Sequence, residues 1–335
     1  MSGHSLRSAV SRNDGSDDTV AVVVRVRPLL AHEIKRRSRE VASVSPDCSS
    51  VSLNIATHKE SRDVKSFKFN YVAPPPESQQ EFFEHCGVTE LLDSALDGYA
   101  GTVFAYGQTG SGKTYSISGS EATAAEGASG MADGRRALQD SDGIIPRAVE
   151  YLFDAMESRE AASKESDNAD ELSYVVHTSF FEIYNELVFD LLAKDGASPS
   201  RRNSSVSSNH ERAFRVGQEN LLATELAQKF SLPVRYDEDK KGFHVQGLTS
   251  KLCKGKAQVL RAFARGFINR RRGSHKLNED SSRSHAIMTL DIDIVTTAKV
   301  GSMSSQSLHK HGKIVFVDLV SAILAATVVL SSWHA

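Results

Sequence analysis

The run GQTGSGKT, from Gly107 to Thr114, constrains the fold more than any other stretch of this 335-residue chain. It satisfies G-x-x-x-x-G-K-[ST] and directly follows an apolar run at residues 102–105 that reads as a short strand. At ordinary glycine usage the bare pattern arises by chance on the order of once in a hundred chains of this size. The strand before it and the helix expected after it supply the context that an anion cradle requires. Gly107, Gly110 and Gly112 let successive backbone N–H groups turn toward one centre, and the following helix N-terminus adds the positive end of its dipole. Gln108, Thr109 and Ser111 complete the turn. Lys113 offers a compact charge to the β- and γ-phosphates of a nucleotide, and Thr114 offers a hydroxyl to Mg²⁺, an ion that keeps several waters.

The rest of the chain is consistent with such a loop. Residues 20–26, VAVVVRV, are β-branched and apolar apart from Arg25, and Pro28 stops them, which predicts a buried strand. Phe82, Phe83, Leu91, Leu92 and Ala95 recur at helical spacing and predict one amphipathic helix over 79–96. Further strands are expected at 174–183, 286–295 and 314–319, and a helix at 258–271 with Val259, Leu260, Phe263 and Phe267 inward. Together these predict an α/β fold of the P-loop NTPase kind, a mostly parallel central sheet flanked by helices and covered on both faces. Residues 119–142 and 194–231 are dense in Ser, Gly, Asn and charge and read as surface insertions. In the second, Arg201-Arg202-Asn203-Ser204 resembles a basophilic kinase site, although a serine-rich solvated loop needs no such role.

Composition narrows the partners. A formal charge of −2 excludes the bulk basic footprint of a nucleic-acid binder, so no nucleic acid is expected and any polyanion must be met locally. Cys48, Cys86 and Cys253 lie far apart with no CxxC pair, which suggests neither a disulfide framework nor a zinc knuckle and points to a reducing, intracellular setting. Residues 1–18 are polar, lack the apolar core of a secretory signal and read as a disordered lead-in. The apolar stretch at 314–330 is interrupted by Asp318 and falls short of the roughly 20 clean residues of a membrane span.

Beyond the loop, GYAGTVFAYGQTGSGKTYSISG at residues 98–119 closely resembles the corresponding stretch of kinesin motor domains. Other blocks agree in order: Arg25-Val26-Arg27-Pro28 resembles the family's RxRP element, GIIPRAVEYLF at 143–153 its next helix, and SFFEIYNELVFDLL at 179–192 its central strand. GFHVQGL at 242–248 also matches, and NEDSSRSH at 278–285 matches the switch I signature N-x-x-S-S-R-S-H. The likeness covers most of residues 19–319.

The resemblance implies an ATP/ADP and Mg²⁺ site, ATP hydrolysis coupled to microtubules (tubulin), and a place in the cytoplasm on the cytoskeleton. Arg25, Arg27 and Pro28 would border the adenine, with Tyr115 on its other side. Asn278, Ser281 and Ser282 would close over the γ-phosphate, with Ser282 reaching the metal and Arg283 joining the second switch. Asp318, at the end of KIVFVDL, would hold metal-bound water in the manner of a Walker B aspartate. Arg270-Arg271-Arg272 reads as a solvated helix end complementing the helix dipole, contact with acidic tubulin being the alternative.

The likeness stops after Leu319. Where the family continues Ala-Gly-Ser-Glu, this chain has Val320, Ser321, Ala322 and Ile323. A side chain at Ser321 constrains the backbone that would approach the γ-phosphate, and Ile323 offers no carboxylate to Arg283. Residues 19–320 are therefore expected to form an incomplete motor domain and 321–335 a tail unlike the family, leaving apolar sheet surface exposed. A non-motile nucleotide-binding or regulatory protein, or an inactive product, is the competing expectation. Direction of travel, cargo and oligomeric state leave no mark in these residues.

Overall fold

The computed structural model describes residues 20–56, 62–120, 137–165, 171–193, 231–238, 241–274, 284–300, 304–319 and 326–333. In chain order these form β1 (Val20–Arg25), α1 (Ala31–Lys35), β2 (Ala42–Val44), β3 (Ser50–Ala56), β4 (Arg62–Lys68) and β5 (Tyr71–Ala73). There follow α2 (Gln79–His85), α3 (Val88–Leu96), β6 (Ala100–Tyr106), α4 (Lys113–Ser118), α5 (Ile144–Glu165), β7 (Glu171–Tyr184) and β8 (Leu187–Asp190). The remainder comprises β9 (Val234–Asp237), β10 (Gly242–Val245), β11 (Lys251–Cys253), α6 (Lys256–Ser274), β12 (Ser284–Val300), β13 (Ser304–Asp318) and β14 (Ala326–Trp333).

The expected strands and helices are present, with one division. Residues 79–96 form two helices because Gly87, at φ 79°, takes a left-handed conformation between them. α2 opens on a capping box in which Ser78 accepts from the Glu81 N–H while the Glu81 carboxylate accepts from the Ser78 N–H.

Nine strands make one sheet in the order β11-β7-β12-β13-β6-β14-β1-β5, with β8 on β7. Among the described strand pairs of this sheet, only β1–β5 and β13–β6 are parallel. The sheet is thus mixed, which corrects the mostly parallel one expected from the strand and helix alternation. β12 and β13 return on each other as a long hairpin, and direct return forces antiparallel pairing. β7 adds to that hairpin antiparallel, and β14 runs antiparallel to both of its neighbours. Apolar patterning reports burial, not strand direction.

α3, α4, α5 and α6 touch the sheet and α5 contacts each of the other three, so these helices form one connected layer. Beneath it lie Phe180, Met288 and Phe316, aligned by register across three strands, with Leu290, Ile292, Ile314 and Val103. Burying these side chains is the main stabilising contribution to the fold, each worth about 1.5–3 kcal/mol. Gly101 and Gly312 let α3 approach closely: a Cβ at Gly101 would overlap the Leu91 side chain, and one at Gly312 the Ala95 carbonyl oxygen. On the opposite face Phe181, Ile183, Ile287 and Val315 are only partly buried, beside His177, Asp291, Asp293 and His311. Among the described residues that face is less fully covered than the helix face, although Thr289 and Val317 on it are buried.

The first insertion is pinched at its base by the Gly119–Asp142 bridge, while residues 121–136 within it and 194–230 of the second lie outside the described residues. No described helix is long and apolar enough to cross a membrane.

Candidate functional site

β6 and β13 run side by side and parallel, so their C-terminal ends open on the same edge of the sheet, with Asp318 opposite Ala105. In open α/β sheets that edge is where ligands bind. Beyond Tyr106 the chain turns through Gly107, Gly110 and Gly112 at φ 152°, 80° and 99° before α4 begins at Lys113. A Cβ at Gly110 or Gly112 would meet nothing within 4 Å, so these glycines serve backbone conformation and leave the mouth of the turn open.

Lys113 is buried to 8% exposure and folds back over its own loop, donating to the carbonyls of Gly107 at 2.6 Å and Gln108 at 2.9 Å. Burial pushes its pKa down, the Asp318 carboxylate pulls it up, and nearby Arg270 pushes it down further. The Thr114 hydroxyl donates to Asp318 Oδ2 at 2.8 Å. The structure thus brings together the loop, the lysine, the threonine and the aspartate that the sequence singled out.

Among the described residues, two buried polar atoms here have no hydrogen-bond partner, Asp318 Oδ1 and Ser111 Oγ. Each such atom costs about 1–3 kcal/mol. A metal-bound water on Asp318 and a phosphate oxygen near Ser111 would satisfy both. The donor set, a hydroxyl plus a carboxylate oxygen, suits a hard cation, so the residues present fit Mg²⁺ and a nucleotide phosphate chain.

Arg270 also reaches the site. Its Nη1 donates to Asp318 Oδ2 at 2.7 Å and its Nη2 to the Ser284 carbonyl at 3.0 Å, while Nε lies 3.6 Å from Glu182 Oε1. The side chain is 12% exposed, which corrects its reading as part of a solvated helix end. Its spacing of three and seven residues from Phe267 and Phe263 put it on the buried face, a signal that the run of three arginines obscured. Burial pushes the Glu182 carboxyl upward, with Ser284 and Arg270 opposing.

On the β1 side Arg25 and Tyr115, assigned from the resemblance to opposite sides of an adenine, lie directly against each other. The guanidinium of Arg25 stands 4.5 Å from the Phe82 ring centre and 5.4 Å from that of Tyr115. It donates to Gln79 Oε1 at 2.6 Å, Ser116 Oγ at 3.2 Å and the Glu77 carbonyl at 3.3 Å. Gln79, buried, passes the link on by donating to the Tyr115 carbonyl at 2.7 Å. Gln79 and Ser116 were not marked by sequence, because a polar residue inside a helix carries no local sign of its partner. Arg27 does not join this group. It is committed to Glu33, at 2.6 and 2.8 Å, and to the Pro28 carbonyl at 3.0 Å. The predicted residues Asn278, Ser281, Ser282 and Arg283 lie outside the described residues, as do 320–323.

A strand running into a glycine turn that heads a helix with Lys-Thr, beside a strand ending in aspartate, defines a P-loop NTPase-like α/β protein. The model of the kinesin motor domain matches residues 25–323, and the chain belongs to that family. Kinesin-like protein KIN-5B of Arabidopsis thaliana is 31% identical over 310 residues, which cover 92% of this chain and 25% of that protein. Kinesin-like protein KIF15 of Rattus norvegicus is 34% identical over 278 residues, 83% of this chain and 16% of that protein. The solved structure of a fast kinesin aligns with a TM-score of 0.61 and 27% identity, over 89% of this chain and 64% of its own. The chain therefore spans about a quarter or less of the length of these relatives. In general, members of the family are microtubule-stimulated ATPases that bind nucleotide with Mg²⁺ and associate with the microtubule cytoskeleton.

Proposed function

We propose that this chain is the nucleotide-binding part of a kinesin-like microtubule motor, holding Mg²⁺ with ATP or ADP on the turn at Gly107–Thr114. The observation that carries the reading is the Thr114–Asp318 contact at 2.8 Å, beside an unsatisfied Asp318 Oδ1 and the open glycine turn. Lys113 exchanges the carbonyls of Gly107 and Gln108 for phosphate oxygens, and the N–H groups at the head of α4 take the same anion. Magnesium, when bound, neutralises phosphate charge and helps orient the transferring group. Asp318 and Thr114 would hold it, and Arg270 keeps the aspartate aimed through its 2.7 Å contact. Arg25, fixed by Gln79, stands behind Tyr115, whose exposed ring offers a flat face to a base. Asn278, Ser281, Ser282 and Arg283 are assigned to γ-phosphate closure by their match to the family octet alone.

Val320, Ser321, Ala322 and Ile323 favour a second reading, a nucleotide-binding protein that does not complete a motor cycle. Hydrolysis depends on closure of both switches, which positions water and stabilises the moving charge. Binding is thus expected to outlast turnover. Calorimetry with Mg²⁺-ADP and a steady-state ATPase assay with and without microtubules test both statements. Absence of nucleotide affinity in folded protein would refute the first, and strong microtubule stimulation the second.

A further inference from the structure

Residues 326–333, part of the tail read from the sequence as unlike the family, sit in the interior of the sheet. β14 pairs antiparallel with β1 over six residue pairs, from Val20–Ser331 to Arg25–Ala326. On its other edge it pairs with β6 over seven, from Tyr106–Thr327 to Ala100–Trp333. We propose that residues 326–333 are a positioning element of the nucleotide site, setting the separation between the strand that carries Arg25 and the strand that ends in the phosphate loop. This rests on the nucleotide reading above.

The geometry is specific. Strands in a sheet stand about 4.8 Å apart, so one intervening strand holds β1 and β6 about 9.6 Å from each other. Across that span Arg25 reaches Ser116 at 3.2 Å and the Tyr115 ring at 5.4 Å, both on the helix that the phosphate loop opens. The outer edges of these strands are already used, by β5 on β1 and by β13 on β6. Without β14 the two inner edges would stay unpaired, or the sheet would close by a strand width of about 4.8 Å. Hydrogen bonds tolerate a few tenths of an ångström, so either outcome separates the base side from the phosphate side. The β14 end that begins with Ala326 and Thr327 lies level with Arg25 and Tyr106, at the site itself.

The phosphate loop, by contrast, follows β6 and opens α4, and β6 keeps its parallel pairing to β13 on the edge away from β14. Disturbing β14 should therefore weaken a ligand that uses both sides more than one that uses the phosphate side alone. Val328→Pro in the full chain removes one ladder N–H from a central strand, where both edges are in use. Calorimetry is expected to show Mg²⁺-ADP bound at least about tenfold more weakly and Mg²⁺-pyrophosphate less than about threefold more weakly. Equal losses for the two ligands, or none, would overturn the proposal. If the variant does not fold, hydrogen exchange on the unsubstituted chain decides. Protection of 326–333 matching that of 20–25 and 100–106, and rising with theirs when Mg²⁺-ADP is added, supports it. Free exchange of 326–333, or no response there to nucleotide, overturns it. Failure of the unsubstituted chain to bind Mg²⁺-ADP at all would instead overturn the nucleotide reading, and this inference with it.

Discussion

Thr114 and Asp318, 204 positions apart in the chain, meet through a 2.8 Å hydrogen bond at the ends of two neighbouring structural units. Thr114 stands in the first turn of α4, and Asp318 is the last residue of β13. The parallel pairing of β13 with β6, the strand that leads into α4, brings them together.

Lys113→Ala tests the charge balance of the turn. Removing an ammonium hydrogen-bonded to the loop should weaken Mg²⁺-ADP by about a hundredfold, on the scale of strong charge-assisted contacts. A thermal-shift assay should show the stabilisation by Mg²⁺-ADP present in the parent and nearly absent in the variant, while the ligand-free midpoints differ little.

Arg270→Ala would leave Asp318 and Glu182, both nearly buried, without their shared cation. Breaking a buried pair from one side costs about 3–5 kcal/mol. Urea denaturation should show that loss, and Arg270→Lys should recover only part of it. A lysine ammonium cannot serve Glu182, Asp318 and the Ser284 carbonyl from three positions at once.

Glu33 gives the fold a local pH dependence. Two N–H donors from Arg27 and the N–H of Leu30 hold its carboxyl down to about 2 from an ordinary 4.5. Because the folded-state value is the lower one, the stabilisation is complete above 4.5 and is lost as pH falls through about 2. Glu33→Gln should therefore lower stability at pH 6 more than at pH 3. An equal effect at both would contradict this.

Gly312→Ala should destabilise by about 1–3 kcal/mol, because the added methyl meets a backbone oxygen, that of Ala95, which cannot rotate away. Gly255→Ala, whose Cβ would meet nothing within 4 Å, should stay within about 0.5 kcal/mol. Parallel chemical denaturation of the two variants is sufficient.

Restoring the family's residues after Leu319, by V320A, S321G, A322S and I323E together, should raise microtubule-stimulated ATP turnover. By the family resemblance, the glycine would free the backbone assigned to approach phosphate, and the glutamate would give Arg283 a partner. Turnover unchanged by the four substitutions would place the limitation elsewhere in the chain.

The phosphate turn was legible in the sequence because its chemistry is local. Gly107, Gly110 and Gly112 need unusual backbone angles, and Lys113 and Thr114 follow at fixed distance along the chain. Asp318 was legible for a similar reason, as a carboxylate ending a β-branched run. Arg270 was not, since its value depends on Glu182, Ser284 and Asp318, supplied by β7, β12 and β13. The family resemblance assigns Arg27 with Arg25 and Pro28 to the adenine border, while its two hydrogen bonds to Glu33, six residues on, appear only in the structure.

By itself the sequence determined the element types, the strand-turn-helix cradle and membership of a family that carries it, all consequences of short-range periodicity and backbone sterics. Only the tertiary structure decided strand direction, the burial of Arg270, the Arg25–Gln79–Tyr115 link and the central place of β14. Pairing partners in a sheet are chosen by whole edges of hydrogen-bonding groups brought together from distant segments, and no local pattern of side chains records which edge will be met.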